Sequence, residues 1–154
     1  VDYVLMHWRG HSATMQNLVD YNDVVADVIS ETARQVDAAM AAGIDRERII
    51  VDPGIGFSKT AEHNWQLIDA VVGSEMCIRD RDGFTDLRVL WGVSRKRFLG
   101  QLLARNGEDR PARDRDASTM ALSTYFALHR AWCVRTHEVR ANRDAVETVA
   151  RVLA

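Results

Sequence analysis

The sequence predicts an α/β fold in which four parallel strands alternate with helices. Short apolar runs recur along the 154-residue chain, and a polar or glycine-rich loop follows each of them. Segments with apolar residues at helical spacing separate these runs. Strands that alternate with helices form a parallel sheet through right-handed crossovers. Four such units amount to half of an eight-stranded β/α barrel, and a complete four-stranded doubly wound sheet is the alternative.

The predicted elements follow one another in a regular order. Residues 3–6 form the first strand, and residues 22–42 form a helix with an apolar face that Gly43 ends. Residues 49–51 are all β-branched, which predicts a strand buried on both faces. The remaining elements are a helix at 61–71, a strand at 87–91, a long helix at 112–130, a strand at 131–134, and a helix at 143–153 that Asn142 caps.

Composition and charge restrict the functional classes. The chain is 47% hydrophobic and 27% charged, which is typical of one globular domain, here residues 1–154. A formal net charge of −2 indicates no general affinity for nucleic acid or acidic membranes. The sequence has no signal peptide or membrane-spanning apolar run, and Cys77 and Cys133 lack metal-ligand spacing, so we expect a cytoplasmic protein. Because the chain starts within a strand, we expect it to be a piece of a longer protein.

Residues 72–81 break the pattern, because the preceding helix should continue its apolar stripe there and does not. Their sequence, VGSEMCIRDR, matches one reading frame of a transposase adapter that is used to prepare sequencing libraries. Our hypothesis is that this segment is a non-native insertion, and we exclude it from fold reasoning. The alternative is a natural helix and loop with an exposed thiol at Cys77.

Residues with useful chemistry follow all four predicted strands. Because the carboxyl ends of parallel strands meet at one edge of a sheet, we expect these residues to surround one hollow. A buried acid among several cations suits a ligand that has a hydrogen-bonding heterocycle and an anionic group such as phosphate. The residues are, in strand order, His7 and Arg9, then Asp52, Phe57 and Lys59, then Ser94, Arg95 and Lys96, and finally Arg135 and His137.

These loops together resemble the dihydropteroate synthase family. The matching motifs occur in the family's order and cover nearly the whole chain apart from residues 72–81. The resemblance implies the second half of a (β/α)8 TIM barrel. It also implies a transferase that joins p-aminobenzoate to 6-hydroxymethyl-7,8-dihydropterin diphosphate and releases pyrophosphate in folate biosynthesis. The motifs are LMHWRG at 5–10, ATMQ at 13–16, DPGIGF at 52–57, HN at 63–64, SRKRFLG at 94–100 and RTHEV at 135–139.

The resemblance implies that the pterin binds against the first two strand ends. Asp52 would pair with the aminopyrimidine edge of the pterin, since a carboxylate that accepts two N–H donors is the matching geometry. Met6 and Phe57 would pack on the pterin faces. Arg135 and His137 would hold the diphosphate and stabilise its charge as the carbon–oxygen bond breaks.

The third strand end is implied to complete the site. Lys96, which the chain reaches through Gly92, would bond the pterin carbonyl and help to shape the p-aminobenzoate site. Ser94 and Arg95 would lie beside it. The resemblance thus implies three catalytic residues: Lys96, Arg135 and His137. We expect His7 and His63 to be structural.

The resemblance also implies a cofactor and an assembly. Mg²⁺ would assist the leaving group, and we predict no metal ligand in this chain because the main ligand is expected in a missing N-terminal half. The full-length protein would be a homodimer, paired through the helices at 112–130 and 143–153. We expect this chain to hold half a site, to turn over negligibly by itself, and to expose strand edges and apolar helix faces.

Two other functions are compatible with the sequence. One is a pterin-dependent methyltransferase of the same barrel superfamily, which also binds a pterin at a strand-tip acid. The SRK motif at 94–96 and the RTH motif at 135–137 argue against it, because methyl transfer has no diphosphate to hold. The other is a non-catalytic pterin-binding domain.

Overall fold

The computed structural model describes residues 1–10, 15–73 and 87–154. Of the predicted insertion at 72–81, residues 72 and 73 end a helix, and the rest lies outside the described residues. The elements are β1 (Tyr3–Met6), α1 (Val24–Ala41), β2 (Ile49–Asp52), α2 (Ala61–Gly73), β3 (Arg88–Trp91), α3 (Arg97–Leu102), α4 (Asp116–Leu128), β4 (Cys133–Val134) and α5 (Val139–Leu153), with 3₁₀ turns at Met15–Asn17, Arg46–Arg48 and Ala112–Arg115.

The four strands form one parallel sheet in the order β1-β2-β3-β4. In this register Met6 lies beside Asp52, and Trp91 lies beside Val134. The carboxyl ends of the four strands therefore meet at one edge. The predicted series of four parallel strand–helix units is confirmed.

Strand β2 is the most deeply buried strand. All four of its residues are buried, and Ile49 has no exposed surface. The run of β-branched side chains explains this burial, because such side chains pack well on both faces of a parallel strand. The strand ends at Asp52, after which Pro53 cannot donate a ladder hydrogen bond.

Helix α1 is fixed at both ends by local interactions. The Asp23 side chain accepts hydrogen bonds from the backbone N–H groups of Val25 and Ala26, at 3.0 and 3.1 Å, and caps the first turn. Gly43 has φ of +94°, a left-handed conformation that favours glycine after a helix. The predicted end of this helix is thus confirmed.

Aromatic stacking holds the long helix α4 against the sheet. The rings of Trp91, at the end of β3, and Phe126, in α4, stack with centroids 4.9 Å apart and an interplanar angle of 17°. Phe126 has no exposed surface. This contact fixes the height of α4 relative to the end of β3, where the site residues begin.

Several predicted elements differ from the structure. The helix predicted at 112–130 begins only at Asp116, after a 3₁₀ turn, and the strand predicted at 131–134 is limited to Cys133–Val134. Asn142 does not cap the last helix, because α5 begins at Val139 and Glu138 caps it by accepting a hydrogen bond from the Ala141 N–H at 2.7 Å. The loop after β3 contains a short helix, α3, that the sequence analysis did not predict. Its six residues are too few to show a helical period.

The structure exposes the surfaces that half a barrel is expected to expose. Tyr3 and Val4 of β1 are 46% and 45% exposed, and Val152 at the end of α5 is 75% exposed. None of the helices in the described ranges is long and apolar enough to cross a membrane. Exposed apolar surface of this kind is typical of an interaction surface.

Replacing Asn142 with Ala should destabilise the pairing of α4 with α5. The buried Ser123 hydroxyl donates to Asn142 Oδ1 at 2.7 Å, and Asn142 Nδ2 donates to the Glu138 carbonyl at 2.6 Å. Asn142→Ala leaves the hydroxyl unpaired, so we expect a loss of about 1–3 kcal/mol in urea unfolding. Thr148→Ala, on the exposed face of α5, is the control and should change stability by less than about 0.5 kcal/mol. Equal effects of the two changes would contradict this account.

Candidate active site

Asp52 is the acid of the site, and it is almost completely buried. Its side chain is 1% exposed; Oδ1 accepts the Gly54 N–H at 2.8 Å and Oδ2 accepts from Arg135 Nη2 at 3.1 Å. Burial raises the pKa of Asp52, whereas the Gly54 N–H and the charges of Arg135, Lys96 and Lys59 oppose that rise. These two hydrogen bonds, one to each oxygen, fix the orientation of the Asp52 side chain.

The loop after β2 supplies an aromatic surface for a cation. Lys96 Nζ lies 3.8 Å from the centroid of the Phe57 ring. Burial lowers the pKa of Lys96, and Asp52 opposes that shift. A Cβ atom on Gly56 would lie 2.9 Å from the Lys96 side chain, and the φ of +80° at Gly56 is a left-handed conformation that favours glycine. The loop is thus shaped around this lysine.

Gly92 gives Arg135 its place beside Asp52. A Cβ atom on Gly92 would lie 2.8 Å from Nη2 of Arg135, the same nitrogen that donates to Asp52. Arg135 is 55% exposed at its side chain, so one edge of the guanidinium remains accessible to a ligand. Gly92, predicted among the substrate-binding residues, thus lies against Arg135, and its contact with a substrate stays a prediction.

Ser94 and His137 are joined by two hydrogen bonds. Ser94 Oγ accepts the backbone N–H of His137 at 3.1 Å and lies 2.9 Å from His137 Nδ1. In the tautomer that carries its hydrogen on Nε2, the serine hydroxyl donates to Nδ1. In that tautomer the imidazole presents its Nε2–H to an anion while Ser94 holds the ring.

Lys96, Arg135 and His137 share a cleft of about 250 Å³. This juxtaposition brings two strand ends together around a space that suits an anion. Thr136 also lines the cleft and was not singled out from sequence, where it is only the residue between Arg135 and His137. Ser94 and Gly92 complete the lining.

Arg95 is held away from this cleft by an ion pair. Its Nε and Nη2 atoms donate to the two carboxylate oxygens of Asp116, both at 2.7 Å. Its backbone is left-handed, with φ of +58°, and its carbonyl accepts from Arg115 Nη1 at 2.8 Å. The structure ties Arg95 to the start of α4, and its contact with a substrate stays a prediction.

Met6 lies next to Asp52 in the sheet register but borders a different space. Its side chain lines a hollow between β1 and α1, together with Leu5 and Ala39. The predicted contact of Met6 with a pterin face stays a prediction.

A buried polar network lies behind the Asp52 loop. His7 has no exposed surface, and its Nε2 lies 2.9 Å from Glu31 Oε2 while its Nδ1 lies 3.0 Å from Lys59 Nζ. Arg9 pairs with the same glutamate. The structural role expected for His7 fits these contacts. The sequence analysis missed Glu31, although an acid three residues after the buried Val28 is a recognisable signal.

The described ranges contain no group of three or more His, Cys, Asp or Glu side chains that could hold a metal ion. Asp52 already accepts from a backbone N–H and from Arg135. These donors do not fit the oxygen-rich coordination that Mg²⁺ requires. We therefore assign no chemical step of these residues to a metal.

A comparison with family models identifies the class of protein. A model described as "Pterin binding enzyme" matches residues 1–137. The chain belongs to the pterin binding enzyme family.

Relatives with known names narrow the class. A dihydropteroate synthase from Mycobacterium leprae (strain TN) is 45% identical over 151 residues, which cover 97% of this chain and 50% of that protein. A folate synthesis bifunctional protein from Arabidopsis thaliana is 40% identical over 149 residues, which cover 94% of this chain and 30% of that protein. The chain thus spans half or less of the length of these relatives. The resemblance to dihydropteroate synthases is confirmed.

Solved structures give the fold. The Yersinia pestis dihydropteroate synthase in complex with a sulfonamide drug matches with a TM-score of 0.84 at 28% identity, covering 99% of this chain and 51% of that one. The Xanthomonas albilineans enzyme in complex with 7,8-dihydropteroate matches with a TM-score of 0.79 at 33% identity, covering 100% and 51%. The prediction of half a TIM barrel is confirmed, and the alternative, a complete doubly wound sheet, is excluded.

Acid should destabilise the chain through His7 and Glu31. Burial, followed by the charge of Lys59, lowers the pKa of His7 from 6.5 to about 4. Between pH 6.5 and 4 the unfolded chain binds a proton that the folded chain does not, so stability falls as pH falls, by up to about 3 kcal/mol. Hydrogen bonding from Arg9 lowers the pKa of Glu31 to about 2, which gives the same sign below pH 4.5.

Urea unfolding between pH 7 and pH 4 measures this dependence. His7→Gln keeps a neutral amide in place of the imidazole and should flatten the pH dependence in this range. Identical slopes for wild type and His7→Gln would show that the acid sensitivity comes from elsewhere.

Proposed function

We propose that the full-length protein containing this chain is a dihydropteroate synthase. It joins p-aminobenzoate to 6-hydroxymethyl-7,8-dihydropterin diphosphate, and releases pyrophosphate in folate biosynthesis. The observation that carries the proposal is that Lys96, Arg135 and His137, from two strand ends, lie around one cleft, and that Arg135 also donates to the buried Asp52 at a third strand end. Relatives with that name, including one bound to 7,8-dihydropteroate and one bound to 4-aminobenzoic acid, support it.

Asp52 is the residue that recognises the pterin. Each carboxylate oxygen has two acceptor positions, and Gly54 and Arg135 use one on each oxygen. The remaining positions accept the two N–H donors of the aminopyrimidine edge. Lys96, above the Phe57 ring, donates to the pterin carbonyl and forms one wall of the p-aminobenzoate site.

Arg135 and His137 bind the diphosphate. The accessible edge of the guanidinium and the His137 Nε2–H both donate to phosphate oxygens. In the reaction, the p-aminobenzoate nitrogen forms a bond to the pterin methylene carbon, and the bond from that carbon to the diphosphate oxygen breaks. The electron pair leaves with pyrophosphate, and the amine proton passes to water. These residues position the reactants and stabilise the developing charge.

Three further features belong to the full-length protein in this proposal. A Mg²⁺ ion would be held by ligands that this chain's described residues do not supply, and it would assist the departure of the diphosphate. Two copies pair through α4 and α5, for which the exposed Leu128, Val152 and Leu153 on these helices are the support. The protein works in the cytoplasm, where the free Cys133 stays reduced.

The test of the function restores a full barrel. The N-terminal half of the Mycobacterium leprae relative is fused to this chain, and dihydropteroate formation is measured for the fusion and for the chain alone. We expect product from the fusion and negligible turnover by the 154 residues, which hold half a site. Normal turnover by the chain alone would overturn the half-site account.

The same fusion separates the alternative functions. Inorganic pyrophosphate should compete with the pterin diphosphate for binding, which a pterin-dependent methyltransferase does not predict. Tight pterin binding by a folded fusion without condensation would select a non-catalytic pterin-binding domain. A folded fusion without pterin binding would refute the proposal.

Asp52→Asn in the fusion should weaken pterin binding by about 100-fold, because an amide replaces a charged acceptor of two hydrogen bonds. Titration with 6-hydroxymethylpterin measures the effect. Asp144→Asn, which removes an exposed carboxylate from α5, is the matched control and should bind like wild type. An Asp52→Asn affinity within twofold of wild type would exclude this carboxylate as the pterin ligand.

A further inference from the structure

Lys59 has three acceptors for its three N–H donors. Its Nζ atom donates to the carbonyls of Gly54 and Phe57, at 3.2 and 3.1 Å, and lies 3.0 Å from Nδ1 of His7. The residue is only 4% exposed. Burial lowers its pKa to about 7, opposed by the charge of Asp52. A buried amine of this kind is retained only where its hydrogen bonds offset the desolvation.

The two carbonyls belong to the loop that places the pterin ligands. Gly54 presents its N–H to Asp52 Oδ1, and its carbonyl also accepts the Phe57 N–H at 3.0 Å. The Phe57 ring, in turn, makes a cation–π contact with Lys96 Nζ. Lys59 therefore binds the backbone of the two loop residues that contact the buried Asp52 and the cleft residue Lys96.

The loop needs such a support because its backbone is unusual. Gly54, Gly56 and Ser58 have φ of +68°, +80° and +50°, and the last of these is not glycine. A left-handed conformation costs a residue with a side chain about 1 kcal/mol or more, so surrounding contacts must hold it. A Cβ atom on Gly54 would lie 2.0 Å from the His7 carbonyl, which shows how closely the loop packs on the end of β1.

The third acceptor anchors the lysine to the scaffold. An ammonium only donates, so Nδ1 of His7 accepts and Nε2 carries the hydrogen that is donated to Glu31. Glu31 lies in α1 and is also paired with Arg9. The loop after β2 is thus connected through Lys59 and His7 to the first helix.

We infer that Lys59 is a positioning residue of the pterin subsite, which it serves by holding residues 54–57 against the end of β1. This inference rests on the proposed function. Lys59 holds Asp52 and Phe57 in place through Gly54 and the Phe57 carbonyl, and it makes no contact of its own with the diphosphate ligands Arg135 and His137 among the contacts described.

The experiment measures two affinities of the fusion that restores the barrel. Lys59→Met keeps the length of the side chain and removes its donors. We expect at least a tenfold loss of affinity for 6-hydroxymethylpterin, and an affinity for inorganic pyrophosphate within twofold of wild type. Hydrogen exchange should accelerate at the amides of Gly54 and Phe57 and stay unchanged in α5. Arg143→Met, which removes an exposed cation from α5, is the control and should alter neither affinity.

Each outcome separates the inference from the function. If wild type binds no pterin, the proposed function fails. If wild type binds and Lys59→Met binds equally well, the inference fails while the function stands. Equal losses of pterin and pyrophosphate affinity would make Lys59 a general stability residue and overturn the inference.

If Lys59→Met does not fold, Lys59→Gln decides, because it retains a neutral donor at reduced reach. The same split between pterin and pyrophosphate affinities is expected. Failure of both variants to fold would also overturn a role confined to the pterin subsite.

Discussion

The burial of one carboxylate at the end of strand β2 is the constraint on which this structure depends. Asp52 is an acid with almost no solvent contact, and it lies where three other strand ends converge. A buried acid is tolerated only where its surroundings compensate for the lost water: the Gly54 N–H and Arg135 donate to its oxygens, and the charges of Lys96 and Lys59 oppose the rise in its pKa. Many other features of the rim, including the glycines at 56 and 92, make room for these cations.

The sequence predicted the sheet well because each strand has a strong local signal. The β-branched run at 49–51 ends at Pro53, and the register of a parallel sheet then places the residues after each strand at one edge. This argument placed ten residues around one hollow. The structure brings Ser94, Lys96, Arg135 and His137 to the cleft, with Asp52 bound to Arg135, whereas Arg95 pairs with Asp116 and His7, Arg9 and Lys59 form a separate network. The selection of Asp52, Lys96, Arg135 and His137 from the ten came from the family resemblance. The order of the strands along the chain is also their order in the sheet, so no rearrangement misled the analysis.

Pairing between distant side chains was beyond the sequence. Nothing local shows that the Arg95 guanidinium turns to Asp116, 21 residues later, rather than to a ligand. The partners of Lys59 lie 52 residues away in β1's loop and 5 or fewer residues away in its own loop, and only coordinates join them. The cap at Glu138 was missed because Asn142 has the stronger general preference for that position, and its burial against Ser123 decided otherwise.

The outer strand β1 has a consequence for how a complete barrel is assembled. Among the described strands it hydrogen-bonds only to β2, and its residues Tyr3 and Val4 are nearly half exposed. The barrel architecture admits only a co-directional neighbour at such a border. The border between two halves of a barrel therefore has a direction, because the strands on both sides of it must run parallel. Parallel strands place the carboxyl ends of both halves at the edge of the sheet where Asp52 lies.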